Sequence, residues 1–138
     1  MGFSVPQEAQ SFKLSTASDN ALVTDTGTYS KNCDSFANLV YIYAPFLTGE
    51  IRLKFNYKST NGSNAAHYQV VTKNGTVLAS GNTTNTTDTA VSKDIFIEAY
   101  DSLRIQVKNV NASYGCTVKD VQVCGTTTDY TDARVAGV

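Results

Sequence analysis

A chain of 138 residues suits one domain that buries its own core without disulfide staples. Hydrophobic residues supply 41% and charged residues only 17%, and Thr, Ser and Asn fill the gap, favouring strands and turns over helices. The net charge of -1 is spread over single positions, so there is no cationic stripe for nucleic acid, and no apolar run is long enough to span a membrane.

Residues 1–20 read as an extended N-terminal arm, with Phe3 and Phe12 as apolar points for docking on a neighbouring subunit. Neither a basic n-region nor an apolar h-region precedes them, so no signal peptide is expected. The folded domain is expected over residues 21–125. Ala21–Thr24 and Gly27–Lys31 read as two short strands around an Asp25-Thr26 turn. Phe36–Ala44 is apolar on both phases and stops at Pro45, the pattern of a strand buried on both faces or facing a partner. Interfaces favour tyrosine, which makes Tyr41 and Tyr43 candidate contacts together with Phe3 and Phe12.

Glu50–Lys58 alternates cleanly, Ile51, Leu53, Phe55 and Tyr57 against Arg52, Lys54, Asn56 and Lys58. Asn61-Gly62 and Asn74-Gly75 are turn signals, so residues 50–80 read as a three-stranded meander. Residues 81–89 form a polar loop. Residues 94–108 give the clearest pattern: Ile95 and Ile97, then Leu103, Ile105 and Val107, alternate with polar positions around a reversal at Ala99–Ser102. This stretch reads as a hairpin. In a last strand, Tyr114–Cys124, Val118 is out of phase with Val121 and Val123, and a bulge at Lys119-Asp120 would bring all three inward. Residues 126–138 read as an extended C-terminal tail. The sum is an all-β chain, an antiparallel β-sandwich of jelly-roll type with extended arms.

Chemistry is sparse. His67, the single histidine, sits on the solvent phase of its strand, and three glutamates and turn-flanking aspartates form no acid–base pair. No catalytic residue, cofactor or metal is assigned; a calcium ion held by Asp88, Asp94, Asp101 and Asp120 is a minor alternative. Cys33, Cys116 and Cys124 read as reduced, half-buried thiols, with a Cys33 bridge to either of the others as the alternative. The five N-x-[S/T] sites, at Asn61, Asn74, Asn82, Asn85 and Asn111, are expected to stay unmodified in the absence of export.

The run Ile97–Ile105, I-E-A-Y-D-S-L-R-I, resembles the v-x-A-G-D-x-L-R-I hairpin of many jelly-roll domains from tailed-phage virion proteins and carbohydrate-binding modules; Tyr100 stands where Gly is usual. The short, Thr/Asn/Ser-rich character of the chain is also similar to head-decoration, head-fibre and tail-accessory proteins. That resemblance implies a non-enzymatic homo-oligomer assembled in a host cytoplasm, bound to a major capsid or other virion protein. The alternative expectation is a carbohydrate-binding module for a host glycan, with Tyr41, Tyr43, Tyr68 and Tyr114 as sugar contacts.

Overall fold

The computed structural model describes residues 12–98 and 102–138. Its ten strands are β1 (Lys13–Ser15), β2 (Ala21–Asn32), β3 (Ala37–Tyr43), β4 (Leu47–Ser59), β5 (Ala66–Thr72), β6 (Val77–Thr83), β7 (Thr89–Ile97), β8 (Ser102–Asn109), β9 (Gly115–Cys124) and β10 (Arg134–Gly137). Two sheets face each other. In sheet A, β7-β4-β9-β2 are antiparallel neighbours and β1 runs parallel to the start of β4. Sheet B has the order β10-β3-β8-β5-β6. From β2 to β9 the chain changes sheet at every connection except β5–β6, which is the strand order of a jelly roll.

The alternating patterns set the core. Ile51, Leu53, Phe55 and Tyr57 of sheet A meet Val70, Leu103, Ile105 and Val107 of sheet B, all nearly inaccessible. Phe55 and Tyr57 come from sheet A and pack edge-on against Tyr68 of sheet B, with ring centroids 5.2 and 4.8 Å apart. Burying side chains of this size stabilises the sandwich by about 1.5–3 kcal/mol each.

Three expectations about neighbours are corrected. Residues 94–108 do not form a hairpin: β7 pairs with β4 in one sheet, while β8 pairs with β3 and β5 in the other. The reversal residues 99–101 lie outside the described residues. Residues 50–80 are likewise no meander, because both edges of β4 are taken by β7 and β9, and the chain crosses at Asn61-Gly62 back to sheet B as β5. Only the Asn74-Gly75 turn makes a hairpin, with Gly75 at φ 90°. Ala21–Lys31 is one strand: the Asp25-Thr26 signal marks a register shift, where the Asp25 carboxylate accepts from Gly27 N and the Tyr29 hydroxyl.

Bulges explain both irregular strands. Val118, Val121 and Val123 are all fully buried, and Asp120 between them takes φ 55°, the bulge expected there. In β3, Asn38 pairs with Gln106 and Val40 with Ile105, so Leu39 is the extra residue. Leu39 and Val40 both turn into the core, which accounts for the doubly apolar reading.

The described parts of both terminal segments, β1 and residues 126–138, are stitched to the body. Ser15 O would meet any Cβ at position 49, and Gly49 has φ 128°, so β1 docks where only glycine fits. The tail contributes β10 along β3 and buries Tyr130 and Ala133, with the Tyr130 hydroxyl donating to Pro45 O at 2.6 Å.

Candidate functional site

With the inner faces packed together, the outer faces of the two sheets carry what the protein can offer a partner. On sheet A, even-numbered positions of β4 point outward. Arg52 holds Asp94 through Nε and Nη2 at 2.8 and 3.3 Å and reaches Asp19 at 3.0 Å, while Lys54 Nζ lies 2.9 Å from the same Asp19 oxygen. These cations hold the Asp19 and Asp94 carboxyls below their ordinary range: Lys54 then Arg52 by hydrogen bonding for Asp19, and Arg52 for Asp94. Toward the start of β4, exposed apolar side chains flank the outward Thr48 and Glu50. Leu14, beside Thr48, is 77% exposed, and Phe96, beside Glu50, is 60% exposed. Phe12, one residue before β1, is 54% exposed.

The outer face of sheet B has a different chemistry. Gln69 Nε2 donates to Gln106 Oε1 at 2.7 Å, Gln106 Nε2 donates to Asn38 Oδ1 at 2.9 Å, and Asn38 Nδ2 donates to the Tyr41 hydroxyl at 3.4 Å. This ladder crosses β5, β8 and β3 along one register row, which Ser80 of β6 extends. The next row is Asn82, His67 and Lys108, whose ammonium sits 4.9 Å from the Phe36 ring centre. Burial, then Lys108, lowers the His67 pKa, so the imidazole is neutral near pH 7. Gln69, His67, Ser80, Asn82 and Lys108 line one shallow depression.

The expected contact residues scatter. Tyr41 and Tyr43 are neighbours on the outer face of β3, ring centroids 6.0 Å apart and 30° from coplanar. Tyr68 does not belong with them. It is 3% exposed in the aromatic core and presents no platform to a sugar. Tyr114 is half-buried in the β8–β9 connection. Phe3 lies outside the described residues. Asp88 is ion-paired with Lys119, Asp94 with Arg52, and Asp101 is not described; among the described residues no three metal-ligating groups come together. The three thiols are unpaired, with Cys33 donating to Val107 O.

Phe96 and the amides Asn38, Gln69 and Gln106 carry no signal of a site in the sequence, and Leu14 reads only as an isolated apolar point of the N-terminal arm. The outward phase of Phe96, Gln69 and Gln106 is readable in the alternation, whereas Asn38 shares the phase of Val40 and Ile42 and turns outward only through the Leu39 bulge; which strands lie side by side is not readable.

No protein-family model and no curated protein matches the chain. Among solved structures it is similar to one titled as an arabinose-bound MgGH51 α-L-arabinofuranosidase, at a TM-score of 0.34 and 14% identity over 80% of this chain and 19% of that one. The chain thus spans about a fifth of that enzyme's length.

Proposed function

We propose that this chain is a non-enzymatic structural or accessory component of a virion, of capsid-decoration, head-fibre or tail-associated type. It works through contacts with further copies of itself and with the major capsid or another virion protein. The observation that supports this reading is the exposed apolar end of sheet A, where Leu14 and Phe96 flank the start of β4. Exposed apolar side chains on a rigid sheet are surface that association removes from water, at about 25 cal/mol per Å². Beside it, the Arg52–Asp94–Asp19 network offers charges of both signs that fix orientation more than they add affinity.

The reading is tested by mass spectrometry of particles banded from a culture that expresses the chain. Peptides of this chain are expected in the virion band at a fixed ratio to the major capsid protein. Their restriction to the particle-free fraction would contradict the reading.

A further inference from the structure

Carboxylates divide unequally between the sheets. Asp25, Glu50, Asp94 and Asp120 all lie on strands of sheet A, whereas among the described residues no strand of sheet B contains Asp or Glu. The cations on sheet B are already engaged. Lys108 covers Phe36, Arg104 donates to Thr72 O and Lys73 O, and Arg134 donates to Thr131 O and Ala133 O. What this face leaves for a ligand is the uncharged amide ladder.

Each ladder amide uses only part of its hydrogen-bonding capacity. Gln106 accepts one bond and donates one, keeping a second N–H and a second lone pair; Gln69 donates one and keeps its carbonyl oxygen. The ladder bonds fix the amide planes, so a ligand need not order them, and the cost of freezing long side chains is already met. Successive amides sit on adjacent strands, about 4.8 Å apart. That spacing is comparable with the length of one sugar residue in a polysaccharide. Paired donors and acceptors at such an interval match the vicinal hydroxyls of successive sugars. At the β3 end, Tyr41 supplies an aromatic surface. Its cross-strand neighbour on β10 is Ala136, too small to cover the ring.

We propose that the outer face of sheet B is a polysaccharide-binding site, with Asn38, Gln69 and Gln106 holding sugar hydroxyls and Tyr41 supporting a sugar ring. Recognition runs through uncharged hydroxyls, so neutral and acidic polysaccharides are both admitted. The site lies on the opposite sheet from the apolar end of sheet A and is independent of the assembly reading.

The test is native affinity electrophoresis of the full chain in gels containing dextran, galactomannan, laminarin, polygalacturonate or hyaluronate. At least one polymer is expected to retard the chain, and the retardation should persist in about 0.5 M NaCl, because amide–hydroxyl contacts are not screened as ion pairs are. Gln106→Leu and Tyr41→Ala are each expected to weaken it about tenfold or more while leaving the melting temperature near wild type. Should Gln106→Leu fold poorly, Tyr41→Ala carries the comparison, since its ring lies outside the core. Retardation by none of the polymers would overturn the proposal, as would retardation abolished by salt or unchanged in both variants.

Discussion

At the scale of single residues, two backbone positions off the common regions fix local geometry. Phe46 takes φ 64° after Pro45, with Leu47 N donating to Ala44 O at 3.2 Å, so a bulky residue occupies the place in a Pro-led turn that usually falls to Gly or Asn. Asp120, at φ 55°, gives the β9 bulge that turns Val118, Val121 and Val123 into the core together. A β-branched side chain at such a φ is strained. Asp120→Val is therefore expected to cost about 1–2 kcal/mol in urea unfolding, and Asp120→Asn much less, because Asn tolerates the left-handed region. Equal midpoints for the two variants would argue against the bulge. This position was legible in the sequence, since the phase conflict among three valines has no other economical solution. Leu39 was not, because a doubly apolar strand and a bulged strand give the same pattern.

At the scale of elements, the sequence declared which residues turn inward, the bulged β3 apart, but not which strands pair. Alternation in 94–97 and 103–107 reads the same for a hairpin and for two strands in opposite sheets facing one core. Asn61-Gly62 is a turn in both accounts; only occupancy of both β4 edges shows that it is a crossover. The amide ladder escaped for the same reason, since Gln69 and Gln106 meet through a β5–β8 register set by the whole fold. Among the short elements, β1 depends on the close approach of Ser15 to Gly49. Gly49→Val is expected to displace β1, loosening the Lys13 N to Phe46 O bond, and to cost about 2 kcal/mol or more. Limited trypsin digestion checks this: cleavage after Lys13 should be faster in the variant, with the β-sheet circular dichroism retained. Unchanged cleavage would show that β1 does not need glycine at this position.

At the scale of the whole molecule, burial sets how the fold responds to pH. The Cys116 thiol is pushed up to about 12 chiefly by burial, and burial likewise pushes the Tyr57 and Tyr130 hydroxyls up to about 12. The unfolded chain gives up these protons earlier, near 9 for Cys and 10 for Tyr, so the folded state binds more protons between those values and about 12. This stability is fully present below about pH 8 and is lost as pH rises toward 12. The melting temperature is expected to fall steadily above about pH 9, and Cys116 and Cys124 are expected to resist a thiol reagent at neutral pH until the chain is denatured. A flat profile into strong alkali, or rapid labelling of the native protein, would contradict the burial assigned to these groups.

Across the molecule, the two sheets share one core but present unlike surfaces. Sheet A offers ion pairs grading into apolar side chains, and sheet B offers amides without carboxylates. The assembly reading depends on the first of these surfaces being covered by another copy of the chain. Sedimentation equilibrium of the wild type beside the double variant Leu14→Asp/Phe96→Asp measures this most directly. The wild type is expected at a mass several times the 14.8 kDa of one chain, and the variant at one chain with unchanged circular dichroism. A wild type that stays at the single-chain mass across a wide concentration range would contradict it.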